Sequence, residues 1–382
     1  MKPTRRWHHA ISQLAIEHLL LLPLGAAIAL VWVNLEAESY YRFRYQWSFA
    51  VNDVAMMFYF GLITKEVVEA TASGGVLHSW RRALLPVIAA IGATIVPALL
   101  YIRTVEWIGE PGLKIAWPTS LGIDVVVTYL VGRFIFGRTG SVPFLLLLAI
   151  AADVLAFLAL GVFDPTRDLH LLRAGAVMLL AIGVAAGLHR ARVRSFWPYL
   201  LLAGALSWTA LFVGHLHPAL ALVPIVPFLP HAARDRGFMV DASPTAKDAL
   251  SQFEIWWRYP AHITLFFFGL VNAGVRLHAI ETGALGLPIA VIIGRPAGVL
   301  VGAGVAVASG LHLPHKAGWR DMLVIGVITA IGFSVGLFMA NELIAPGEVR
   351  AETSMGVLLT LIAAPVSLLM ARALRVGRYG QS

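Results

Sequence analysis

Cysteine is absent from all 382 residues. That excludes a disulfide framework, a thiolate metal site and a cysteine nucleophile. Charge is also scarce: Asp, Glu, Lys and Arg together make up 13% of the chain, about half the share of an ordinary soluble domain. A soluble enzyme is excluded on that ground. No acidic tail, linker or low-complexity tract divides the sequence. The net charge of +8 is spread between apolar runs instead of collecting on one amphipathic face, so it carries no nucleic-acid footprint.

Long apolar runs fill the chain, with 59% hydrophobic residues and a mean hydropathy of +0.79. At about 20 apolar residues per membrane-spanning helix, the sequence reads as one all-α polytopic membrane domain over 1–382. Runs of spanning length fall near 12–34, 47–70, 83–102, 115–137, 142–163, 172–189, 197–214, 217–230, 256–276, 284–309, 321–343 and 354–372. That predicts twelve spans. The first begins after Lys2, Arg5 and Arg6 and has no small-residue cleavage site, so it reads as a retained helix, not a signal peptide. Most of the 29 Lys and Arg residues lie in the loops on one side of this pattern. The bias places both termini in the cytoplasm.

Two of these runs carry an aspartate far from either end: Asp124 in the fourth and Asp153 in the fifth. A carboxylate at that depth costs about 3 kcal/mol on insertion scales and is rarely present without a task. Asp153 reads as a cation ligand that also carries a proton, because its ionised form can hold a small cation and its protonated form is nearly neutral. Two roles stay open for Asp124, lining the site or compensating the positive end of a half-helix. Arg295 lies mid-span in the tenth run and holds its proton at all accessible pH, so it serves as a fixed charge. It is expected to pair with Asp153 or to neutralise a helix C-terminus.

Helix breakers mark the fourth and eleventh runs. Pro118 precedes Thr119, Ser120 and Gly122, and Gly326, Gly332 and Gly336 punctuate the other. Irregular backbone at membrane depth is tolerated where it is buried in protein or lines a wet cavity, and interrupted spans in matching positions of two halves point to a transporter site. Lys65, Glu66 and Glu69 end the second run; a solvated helix end is the plain reading, and an entrance funnel or pH-responsive cluster the sharper one. Asn52 and Asp53 open the same run and read as caps. The Gly298-to-Gly302 spacing reads as close helix packing. No metal site is assigned to the histidines, and no nucleophile with its base is found in the spans, so an enzyme is not expected.

At these residues the chain resembles the NhaA-type bacterial sodium/proton antiporters. The likeness rests on Asn-Asp at 52–53, Leu-Pro-Val-Ile-Ala-Ala-Ile-Gly at 85–92, Trp-Pro at 117–118 through Asp124, Asn-Ala-Gly-Val at 272–275, Gly-Arg-Pro-Ala-Gly at 294–298 and Ile-Gly-Phe-Ser at 331–334. It implies inverted repeats, with the fourth and eleventh helices unwound and crossing near the membrane centre. It also implies a core (about 83–163 and 284–372) moving against a dimerisation domain, a homodimer in the bacterial inner membrane, a role in pH homeostasis, and exchange of sodium or lithium for protons with no cofactor. Asp153 and Asp124 would hold the sodium, and the bilayer lipid would be the surrounding partner.

Three departures from the family pattern touch the mechanism. The first aspartate of the family's Asp-Asp pair falls on Ala152, its threonine before the second-site aspartate falls on Ile123, and its lysine falls on Arg295. With Asp153 as the remaining carrier, the resemblance implies one proton per sodium and an electroneutral exchange. Two other readings stay open: cation-coupled transport of an organic anion held by Arg295, and a non-transporting sensor or subunit.

Overall fold

The computed structural model describes residues 21–71, 80–137, 139, 141–163, 170–231, 248–277, 282–314, 317–345 and 347–380. The start of the first apolar run and most of the 231–254 loop, expected to be a solvated cytoplasmic connection, lie outside them, as does the side chain of Glu66.

The described residues form helices joined by turns and irregular stretches, with no strand among them. We label the α-helices in chain order: α1 (Leu21–Leu35), α2 (Ala37–Phe49), α3 (Met56–Thr71), α4 (Trp80–Ile108), α5 (Val125–Phe136), α6 (Ser141–Phe163) and α7 (Leu171–Arg190). There follow α8 (Ala205–Val213), α9 (Ala249–Asn272), α10 (Gly286–Ala308), α11 (Trp319–Thr329), α12 (Phe333–Leu343), α13 (Glu348–Leu359) and α14 (Ala363–Ala373). By length and composition, four described helices can cross a membrane, or six when each bent pair counts as one span. The polytopic all-helical architecture follows.

One expected span is not a regular helix. The 217–230 run folds as short 3₁₀ turns, Pro218–Leu220 and Val226–Phe228. Its apolar length suggested a helix, but Pro218, Pro224, Pro227 and Pro230 remove backbone donors and clash with the preceding turn. The second run also differs, because the chain is helical from Ala37 onward and Asn52 and Asp53 sit inside a π-helical stretch, Ala50–Ala55, between α2 and α3. Their expected capping role therefore does not arise. Asn52 is buried and exchanges amide hydrogen bonds with Asn272 at the end of α9, and Asn341 of α12 donates to the Asn272 carbonyl at 3.0 Å.

The framework around the crossing is set by α4 and α10, which pack along their lengths. A Cβ on Gly298 would strike the Gly92 carbonyl and one on Gly92 the Gly298 carbonyl, so this is a backbone-to-backbone contact that only glycine allows. We expect Gly298→Val to force the helices apart and to cost about 1–3 kcal/mol. Thermal melting of purified protein in detergent reads this directly, and an unchanged midpoint would contradict the contact.

Candidate functional site

Two helix pairs break at matching places. The 3₁₀ segment Pro111–Ser120 meets α5 at 62°, and α11 meets α12 at 44°. Pro118 and Thr119 lie in the 3₁₀ segment just before the first break, where Thr119 donates to the Ala116 carbonyl at 2.6 Å. Gly332 sits at the second break as the residue before α12, its amide donating to the Thr360 hydroxyl at 3.2 Å. The breaks touch: the Asp124 amide donates to the Ile331 carbonyl at 2.7 Å, and a Cβ on Gly332 would lie 2.9 Å from the Gly122 carbonyl oxygen. These touching, interrupted helices are the two broken spans that the helix breakers predicted.

Each broken span exposes helix ends at the crossing. Asp124 resolves the positive ones. Its Oδ1 accepts from the Val127 amide at 2.9 Å, capping α5, and its Oδ2 accepts from the Ser334 amide at 3.1 Å in the first turn of α12. One buried carboxylate thus satisfies both half-helix N-termini, where orphan amides and the helix dipole favour negative charge. Of the two roles left open for Asp124, the geometry supplies the compensating one.

Arg295 is fully buried in α10 and serves the opposite pole. Its Nη2 donates to the carbonyls of Ser120 at 2.7 Å and Gly122 at 2.8 Å, which the unwound end of the 3₁₀ segment leaves exposed. Of the two expectations for Arg295, neutralising a helix C-terminus is the one realised. Its Nε and Nη1 make no hydrogen bond among the described residues, and Asp153 stands within electrostatic range without a hydrogen bond to it.

Asp153 projects from the middle of α6 and is buried. Its Oδ1 accepts from the Ile123 amide at 3.0 Å, in the unwound stretch before Asp124. Its Oδ2 is buried with no hydrogen-bond partner among the described residues. A desolvated, unpaired carboxylate oxygen is costly, and it is the chemistry that receives a proton or a small cation. Tyr59 on α3 is within electrostatic range of both Asp124 and Asp153. No signal along the chain marks it, since an aromatic residue in an apolar run is ordinarily core.

Lys65, expected at a solvated helix end, is instead almost wholly buried. Its Nζ pairs with Glu69 at 2.9 Å and with Glu254 of α9 at 2.8 Å. The expected solvated setting is replaced by packing between α3 and α9, with the charges paired. Glu254 escaped notice because it stands where the long loop gives way to α9.

Removing the caps should be felt in stability. Asp124→Ala is expected to lower stability by about 1–3 kcal/mol, since it leaves two buried helix N-termini unsatisfied. Melting in detergent without sodium should place it well below Asp153→Asn, and equal midpoints would rule out the double cap.

Residues 10–371 match the family described as Na+/H+ antiporter 1. A protein named Na(+)/H(+) antiporter NhaA from Geobacter metallireducens is 35% identical over 364 residues, covering 93% of this chain and 95% of the relative. One of the same name from Geotalea uraniireducens is 36% identical over 368 residues, covering 94% and 95%. Among solved structures, the sodium proton antiporter MjNhaP1 from Methanocaldococcus jannaschii superposes with a TM-score of 0.55 over 95% of this chain and 96% of that one, at 14% identity. The last shares the fold across a wide sequence gap. The match along nearly the full length of both partners places the chain in the Na+/H+ antiporter 1 family.

Proposed function

We propose that this chain is a secondary transporter exchanging sodium, or lithium, for protons one for one, with Asp153 as the shared carrier. The family and the names of the relatives support the exchange. The observation that carries the mechanism is the lone Asp153 Oδ2 beside a crossing whose other charges are engaged.

The charge count is short. A half-helix N-terminus carries roughly +0.5 of a charge and a C-terminus roughly −0.5. Two of each meet at the crossing and cancel. Asp124 sits on the positive ends and Arg295 on the exposed carbonyls of one negative end, and they cancel as well. Asp153 remains, with a single negative charge to be neutralised by one proton or one sodium ion. The two cations compete for one carboxylate, and backbone carbonyls of unwound helix supply further oxygen ligands of the kind such sites use. Each turnover then carries one charge each way.

In the same reading the helices about 83–163 and 284–372 form a core that moves against the rest, presenting Asp153 to each side in turn. The protein is a homodimer in the bacterial inner membrane with both termini cytoplasmic, serves pH homeostasis and needs no cofactor. Light scattering in detergent that gives a monomer mass would contradict the dimer.

The test is reconstitution. Proteoliposomes holding an imposed pH gradient should lose it on addition of sodium or lithium and keep it on addition of choline. Folded protein that shows no sodium-dependent proton movement would contradict the reading.

A further inference from the structure

Far from the crossing, α2 carries a stripe whose chemistry changes along its length. Tyr41, Arg44, Tyr45 and Phe49 recur at helical spacing on one side, while Tyr40 faces inward and its hydroxyl donates to the Val271 carbonyl at 2.9 Å. Tyr45 and Phe49 are 86% and 51% exposed. At the Tyr41 end, basic groups gather from three separate elements. The Arg276 guanidinium lies over the Tyr41 ring, 5.7 Å from its centroid. Arg350 of α13 is held by its hydrogen bond to the Ile344 carbonyl and lies within electrostatic range of Arg44, Glu342 and the Tyr41 side chain. Three arginines thus share one corner, with Glu342 acting on one of them. The crowding of like charge is unfavourable unless an anion joins it.

From Tyr41 to Phe49 the stripe runs about 12 Å along the helix, basic at one end and apolar and aromatic at the other. This polarity matches a phospholipid, whose phosphate seeks arginine and whose chains seek exposed apolar surface, and Tyr and Trp gather at the boundary between the two. Trp47, also exposed on α2, adds a second ring at that level. We propose that Arg44, Arg276 and Arg350, with the Tyr41, Tyr45 and Phe49 stripe, form a binding site for one anionic glycerophospholipid. Guanidinium forks bind the headgroup phosphate, and an acyl chain lies along Tyr45 and Phe49. On the orientation above, this site faces the outer leaflet.

Native mass spectrometry of the full-length protein, with phosphatidylglycerol or phosphatidylcholine of the same chains added in detergent, tests this. Wild-type protein should retain one phosphatidylglycerol and not phosphatidylcholine. Arg44→Gln with Arg276→Gln should weaken that retention by roughly tenfold or more. Arg42→Gln, whose arginine is exposed and pairs with Glu38, should leave it unchanged. Replacing the same two arginines with lysine keeps the charge without the fork and should retain more phosphatidylglycerol than the glutamine pair but less than wild type, which separates lost binding from lost folding. Equal retention of the two lipids by wild-type protein, or undiminished phosphatidylglycerol in the double glutamine variant, would overturn the site. Displacement of the lipid by millimolar inorganic phosphate would also overturn it, by making this a site for free anions.

Discussion

Asp153→Asn should reduce sodium-driven proton movement to the level of protein-free vesicles while leaving the fold in place. Asparagine is nearly isosteric, and its carbonyl oxygen can still accept from the Ile123 amide as Oδ1 does. What is lost is the second oxygen, Oδ2, buried and unpartnered among the described residues, and with it, in the proposed mechanism, the means to alternate between proton and cation. Sodium should raise the melting temperature of the wild-type protein and not that of the variant, because a ligand stabilises only the state that binds it. In the wild type the competition sets a further expectation. Where the carboxyl is mostly protonated, one released proton per bound sodium weakens apparent sodium affinity about tenfold for each unit the pH falls. A twofold steeper dependence would signal a second carrier. Transport that survives in Asp153→Asn would move the carrier elsewhere.

Lys65→Met should give the largest loss of stability of any single change on the α3 and α9 side. In the native protein one ammonium group neutralises Glu69 and Glu254 together. Without it two carboxylates are left close together in a packed interface, and breaking a buried ion pair by removing one partner costs about 3–5 kcal/mol. Glu69 retains some exposure, which places the expectation near the lower end of that range. Adding Glu254→Gln should restore much of the loss, because the glutamine removes the charge that the missing lysine leaves behind. Melting of the single and double variants in detergent gives the coupling directly. If Lys65→Met melts with the wild type, the three side chains are not coupled in the way their distances indicate.

Charge at depth made Asp124, Asp153 and Arg295 legible in the sequence, since each stands mid-run where burial is expensive. Pro118 and Gly332 marked the two broken spans for a local reason, backbone chemistry. The partners of those groups were less visible. Arg295 bonds the carbonyls of residues 120 and 122, a choice fixed by how two broken helices cross and not by any spacing along α10. Glu254 reaches Lys65 across nearly half the chain, and Asn52 reaches Asn272 likewise. The misread 217–230 run shows two local signals in conflict: apolar length argued for a spanning helix, four prolines argued against it, and the backbone followed the prolines. The departures at Ala152, Ile123 and Arg295 were readable from the first residues onward. Their consequence for charge became countable once Asp124 and Arg295 were seen to be engaged with helix ends.

The stoichiometry is the central claim, and one measurement bears on it most directly. Proteoliposomes loaded with a pH dye and given a sodium gradient can be assayed with the membrane potential left free and again with it clamped at zero by potassium and valinomycin. One-for-one exchange on Asp153 predicts the same initial rate in both conditions and no sodium-driven signal from a potential-sensitive dye. A rate that rises on clamping, together with a potential generated by sodium, would mean that more than one proton crosses per ion. It would contradict the proposed site, in which Asp153 is the uncompensated charge among the described residues.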